Sequence, residues 1–85
     1  MNALTPEELA ILRRALGMSH YQRRPTRNHL AGSHAVDYLP TVSALVDRGL
    51  MEPKFTYGPR GREWYYSATE GGIEAALANP WKELT

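Results

Sequence analysis

The chain has 85 residues with a net charge of +1, 42% hydrophobic and 22% charged residues, and no cysteine. This composition is typical of a soluble globular protein, and the length allows one modest hydrophobic core. The lack of cysteine excludes disulfide bonds and Cys-based zinc sites. No apolar run approaches the roughly 20 residues of a membrane span, and acids stand near the N-terminus where a signal peptide has bases. We therefore expect a single domain over residues 1–85, a cytoplasmic location and no membrane partner.

The first predicted helix covers about residues 6–16. The motif Thr5-Pro6-Glu7-Glu8 matches a capping box with proline in the first turn. Leucines then recur at helical spacing as far as Leu16, and Gly17 favours a stop. Residues 18–36 have no clean apolar period, so only a short helix at about Thr26 to Ala31 is predicted there.

A further helix is predicted from Asp37, a favourable N-cap, to Arg48, with Gly49 as its stop. Pro40 lies in its first turn, where proline is tolerated. Its apolar stripe consists of Leu39, Val42, Leu45 and Val46.

Two aromatic-rich segments, 54–57 and 63–67, flank the turn-forming residues 58–61 and predict a β-hairpin. Alternation places Trp64, Tyr66 and Ala68 on the core side and turns Tyr65 outward with Glu63 and Ser67.

Thr69 caps a last predicted helix that contains Ile73, Ala76 and Leu77 and ends before Asn79-Pro80. Beyond it, Trp81 and Leu84 are expected to fold back onto the domain.

The predicted order of helix, short helix, helix, hairpin and helix defines an α+β domain, and particular motifs add a resemblance. LPTVSALVDRGLME resembles the second motif helix of winged helix-turn-helix domains, and YYSATEGGIEAAL resembles their last wing strand and the helix that follows. The resemblance covers residues 28–78. RNHLAG, LVDRGLM and YYSATEGGIEAAL are also similar to small phage and prophage proteins of largely unknown function. The resemblance to winged helix-turn-helix domains implies a winged-helix fold with three N-terminal helices, the second short, then a hairpin wing and a C-terminal helix.

Positive charge is concentrated in the first half of the chain. Residues 9–36 contain five arginines, three histidines and no acid, whereas acids outnumber bases from Asp37 onward. Arg23, Arg24 and Arg27, with Asn28 and His29 beside them, are therefore the candidate phosphate contacts. A solvated face that keeps a small domain soluble is the alternative interpretation.

Two further regions carry candidate DNA contacts. In the helix after Asp37, Thr41 is expected to be exposed and Arg48 is the one cation, so these two residues are its candidate DNA contacts. The helix is poorly suited to recognise bases, because side chains that pair with base edges are usually Arg, Lys, Asn or Gln. Lys54, Arg60 and Arg62 flank the hairpin turn. The resemblance implies that such a wing contacts the DNA backbone or the minor groove. The alternative is that these charges keep the hairpin soluble and prevent its exposed strand edges from pairing with another chain.

Other chemistries have little support in the sequence. His20, His29 and His34 match no zinc spacing, and neither a nucleophile elbow nor a phosphate-binding glycine loop is present. No metal, cofactor, catalytic residue or small-molecule substrate is therefore expected. Tyr65, expected to be exposed, is a candidate protein contact or homodimer contact.

Two functional interpretations stay open. The first is a non-enzymatic, DNA-binding winged-helix protein that acts as a phage or prophage regulator or accessory factor. The second is a protein-interaction or assembly module that keeps the winged-helix scaffold without DNA binding. It is favoured by the near-zero net charge and by the neutral, partly acidic third predicted helix, which contains Asp37 and Asp47.

Overall fold

The computed structural model describes residues 4–19 and 21–79, which form a mixed α+β fold. The predicted α+β class is therefore confirmed. Trp81 and Leu84, expected to fold back, lie outside the described residues. The elements are α1 (Pro6–Ala15), β1 (Leu30–Ala31), α2 (Gly32–Ala35), a 3-10 turn (Val36–Tyr38), α3 (Leu39–Asp47), β2 (Met51–Gly58), β3 (Gly61–Ala68) and α4 (Glu70–Ala78).

Helix α1 begins with the predicted capping box. The backbone N–H of Glu8 donates to the Thr5 hydroxyl at 3.1 Å, and the Thr5 N–H donates to the Glu8 carboxylate at 2.9 Å. Both bonds satisfy donors that a helix start otherwise leaves unpaired. The helix ends at Ala15, and Gly17 turns the chain away with a φ of +67°.

The prediction of a short helix at residues 26–31 is wrong. The backbone N–H groups of Thr26 and Arg27 donate to the carbonyl of Leu16, and that of His29 donates to Ala15, at 2.8 to 3.2 Å. These carbonyls at the end of α1 have no partner within the helix, so the segment satisfies them instead of its own backbone. Residues 30 and 31 then form strand β1.

A short helix does occur, but later, as α2 and the 3-10 turn that follows it. It starts at Gly32, where an added β-carbon would lie 3.0 Å from the Trp64 carbonyl oxygen, so the chain turns helical directly against β3. Asp37 consequently lies inside the 3-10 turn. The prediction that Asp37 caps the next helix is wrong, because α3 starts after Tyr38 with no side-chain cap.

The sheet is antiparallel with the strand order β1-β3-β2. The hairpin is longer than predicted, since pairing runs from Met51 with Ala68 to Gly58 with Gly61. Of the predicted core side, Ala68 is buried and Tyr66 packs against the core. Trp64 is half exposed, because the outer hairpin extends past the core.

Helices α1, α3 and α4 and the inner end of the sheet enclose the hydrophobic core. Thr69 caps α4 as predicted: it accepts from the Gly72 N–H at 3.2 Å and donates to the Gly49 carbonyl at 2.6 Å. Leu39, predicted to face the core, is exposed, and so is Leu77 on α4. None of the described helices is long and apolar enough to cross a membrane. The largest fully buried side chains are Leu12, Leu16, Leu30, Val42, Leu45 and Met51.

Candidate nucleic-acid interface

The predicted phosphate contacts Arg23, Arg24 and Arg27 lie in an exposed coil, residues 21–29, that is fastened to the end of α1. Besides the backbone bonds to α1, the Thr26 hydroxyl donates to the carbonyl of Gly17 at 3.0 Å. The three arginines are therefore carried by a segment with fixed attachment points.

Arg14, the last-turn arginine of α1, joins this group. The Arg27 guanidinium donates to the Arg14 carbonyl oxygen at 3.2 Å, and both side chains line a shallow groove of about 610 Å³. Sequence reasoning counted Arg14 in the basic half of the chain but did not name it as a site residue. Its position at the end of a predicted helix, before the basic segment, was the available signal.

Arg14 also connects the groove to the start of α3. Its guanidinium carbon lies 5.7 Å from the centroid of the Tyr38 ring, within cation–π range. Arg13, by contrast, points inward and donates to the Asn79 carbonyl at 2.9 Å, and burial lowers the pKa of its guanidinium. We call Arg14, Arg23, Arg24 and Arg27 the arginine surface.

Asn28 and His29, grouped with the arginines from sequence, have other contacts. The Asn28 side chain donates to the Ala68 carbonyl at 2.9 Å and accepts from the Ala68 N–H at 2.7 Å, which fixes the coil to β3. The His29 ring stacks on Tyr65 with centroids 4.6 Å apart. Tyr65 is therefore partly covered instead of forming an open contact face.

Arg48, the one cation predicted for α3, is engaged by an acid. Its guanidinium donates to both carboxylate oxygens of Glu8, at 3.0 and 3.2 Å. The N–H of Thr5 and the Arg48 guanidinium lower the pKa of Glu8, while burial opposes them. Thr41, the other predicted α3 contact, is half buried.

The three hairpin cations differ in their surroundings. Lys54 forms an ion pair with Glu52 at 3.4 Å, and the Arg62 guanidinium lies 4.4 Å from the centroid of Phe55. Arg60 lines an open cleft of about 560 Å³ between the hairpin and the start of α3. Its lining also includes the acid Glu63 and the apolar residues Ala31, Val36, Leu39 and Trp64.

No group of three His, Asp or Glu side chains that could hold a metal ion occurs within residues 4–19 and 21–79. His20, one of the three histidines considered, lies outside these ranges. The side chains that form the candidate interface are arginines, aromatic residues and apolar residues. Comparison with known proteins found no matching protein-family model, curated protein or solved structure.

Proposed function

We propose that this protein binds duplex DNA without enzymatic activity, by contacts from the arginine surface to the phosphate backbone. The observation that carries the proposal is the attachment of an acid-free coil, which contains Arg23, Arg24 and Arg27, to the end of α1. There the Arg27 guanidinium lies against the carbonyl of Arg14. Guanidinium groups match phosphate oxygens in charge and geometry. Contacts of this kind position a protein on DNA and carry no sequence information by themselves.

The order of the elements supports a winged-helix scaffold for this function. Helix α1, a short strand, α2, α3 and a hairpin follow one another, and β1 pairs with the second hairpin strand. The resemblance of the α3 and hairpin motifs to winged helix-turn-helix domains agrees with that order. We propose that the protein is a regulator or accessory factor of the kind found among phage and prophage proteins.

Helix α3 contributes little to base recognition in this proposal. Its first two turns, LPTVSAL, contain no Arg, Lys, Asn or Gln. Arg48 at its end is bound to Glu8, so contact with a base would cost that ion pair. Binding should therefore depend weakly on DNA sequence and strongly on salt.

A salt titration of binding to a fluorescent duplex tests the proposal. Because each phosphate contact contributes about 0.9 to the slope of log affinity against log salt, the triple variant R23A/R24A/R27A should lower that slope by about 3. An unchanged slope would contradict the proposal.

Two variants control this titration. Lys54→Ala removes a cation that already pairs with Glu52, so its slope should fall by less than that of Arg24→Ala. Arg27 has structural contacts to α1, but Arg24 is exposed, so Arg24→Ala tests the surface with little risk to folding. Circular dichroism melting verifies that each variant is folded.

A second candidate function, a protein-interaction module, is favoured by the cleft beside α3. Val36 and Leu39, which both line this cleft, expose 65% and 45% of their surface, and exposed apolar surface at one site is typical of protein contacts. Capture from a nuclease-treated lysate tests it. A specific partner should be lost with Leu39→Asn and kept with Leu77→Asn, a matched exposed leucine on α4. If no specific partner is captured, this candidate should be dropped.

A further inference from the structure

The outer hairpin presents a row of exposed aromatic side chains. Tyr57, Trp64 and Phe55 expose 84%, 51% and 45% of their surface. The register pairs Phe55 with Trp64 and Tyr57 with Arg62, so all four side chains lie on one face of the hairpin. We call Phe55, Tyr57, Arg62 and Trp64 the aromatic face.

Contacts within the aromatic face join three of its members, Phe55, Arg62 and Trp64. The rings of Phe55 and Trp64 lie 4.0 Å apart between centroids with a tilt of 48°. The guanidinium carbon of Arg62 lies 4.4 Å from the centroid of the Phe55 ring. These contacts restrict the side-chain rotamers, so part of the entropy cost of ordering them for a ligand is already met.

The hairpin carries its carboxylates on one face. Within residues 51–68, all of which the structure describes, the carboxylates belong to Glu52 and Glu63, and alternation places both on the face opposite the rings. The Glu63 carboxylate lies against Gly58, where an added β-carbon would come within 2.9 Å of it. Glu52 pairs with Lys54. The aromatic face itself carries the cation Arg62 and no carboxylate.

This combination complements an anion that carries flat π-surfaces. Nucleic acid without base pairing meets that description, because its bases can stack on aromatic rings while its phosphates approach cations. Duplex DNA does not, since its bases are stacked on one another and offer only their edges in the grooves.

We propose that the aromatic face binds single-stranded nucleic acid, with one base stacked on Trp64, a neighbouring base on Tyr57, and Arg62 close to the phosphates. The inference shares with the proposed function a nucleic-acid partner, but it uses a different surface. The two surfaces are linked through the start of α3: Arg14 contacts Tyr38, and the next residue, Leu39, lines the same cleft as Trp64.

The test compares an oligothymidine strand with an abasic strand of equal length, both fluorescently labelled. The two probes carry the same phosphates, so a difference in affinity reports base stacking alone. The wild-type chain should bind oligothymidine about tenfold or more tightly than the abasic strand, given stacking energies of about 1 to 3 kcal/mol per base. Equal affinities would overturn the proposal and leave the face to a protein partner.

Variants assign the preference to the hairpin. Tyr57→Ser, at a highly exposed position that should not affect folding, should reduce the preference, and Y57S/W64L should abolish it. Tyr21→Ser replaces an exposed tyrosine outside the hairpin and should leave it unchanged. A preference that survives in Y57S/W64L would refute the assignment.

The same probes separate this inference from the proposed function. Duplex binding that fails in the wild type, with the oligothymidine preference intact, contradicts the arginine proposal alone. Duplex binding that depends on the arginine surface, without preference for oligothymidine over the abasic strand, contradicts the base-stacking proposal alone.

Discussion

Glu8 is a buried carboxylate whose charge is stabilised from two directions. It accepts from the N–H of Thr5 within its own helix and from Arg48 at the end of α3. A buried carboxylate without such partners would lose the hydration that stabilises its charge. The Thr5 bond also closes the capping box, so one side chain both starts α1 and joins it to α3.

The lowered pKa of Glu8 predicts a stability change in acid. Because the folded pKa lies below the ordinary value of 4.5, the ionised carboxylate stabilises the fold above pH 4.5, and this contribution is lost as the pH falls through the folded pKa. The melting temperature of wild type should exceed that of Glu8→Gln near neutral pH and converge with it in acid. A difference independent of pH would contradict this assignment.

Asn28 shows how the contacts of a single residue can be missed from sequence. Its polar side chain stands next to Arg27 in the acid-free segment considered for phosphate binding. Its amide instead makes a donor and an acceptor bond to the backbone of Ala68, forty positions later. A pair of bonds over that separation has no local pattern from which it could be predicted.

At the scale of elements, α4 lies so close to the α3–β2 connection that one of its glycines has no room for a side chain. A β-carbon at Gly72 would collide with the carbonyl oxygen of Leu50 and lie 3.2 Å from the β-carbon of Ala68. At Gly71 the nearest atom is a methyl carbon of Leu50 at 3.6 Å, an ordinary contact. The adjacent glycines therefore have different roles.

Alanine at these two positions should have opposite effects. Gly72→Ala should destabilise the protein by about 2 kcal/mol, because the backbone of α4 must move away from Leu50. Gly71→Ala should be neutral or stabilising by about 0.5 kcal/mol, because alanine lowers the entropy of the unfolded chain. Urea denaturation measures both. Equal effects would show that α4 does not pack this closely against the backbone of Leu50.

The elements with local signals were predicted well. The capping box of α1, the hairpin turn and the Thr69 cap of α4 all depend on residues within a few positions of one another. The prediction for residues 26–31 was wrong because their backbone bonds go to the end of α1. Asp37 was wrong as a cap because Gly32 starts the helical path earlier, against β3.

At the scale of the whole molecule, the hairpin is the part least supported by the core. The described chain measures 44 × 28 × 23 Å, and Met51 and Ala68 at the base of the hairpin are buried. Residues 54–63 beyond them are exposed, apart from the half-buried Gly58. Strand β1 supports β3 only at Tyr65 and Tyr66.

Hydrogen exchange should therefore be graded along the hairpin. Amides that are hydrogen-bonded near Met51, Tyr66 and Ala68 should exchange about tenfold or more slowly than those in 55–64, because the outer strands can open without disrupting the core. Mass spectrometry or NMR measures this. Uniform protection along both strands would show that the hairpin opens only when the whole domain unfolds.

Sequence by itself determined the α+β class, most elements and the concentration of arginines before α2, because caps, turns and charge density are local properties. Only the tertiary structure decided which contacts the cations make. In the fold, Arg48 forms an ion pair with Glu8, Arg27 donates a hydrogen bond to the Arg14 carbonyl, and Trp64 lies half exposed beyond the core. These outcomes depend on how helices and strands pack, which joins residues far apart in the chain and carries no signal within any short segment.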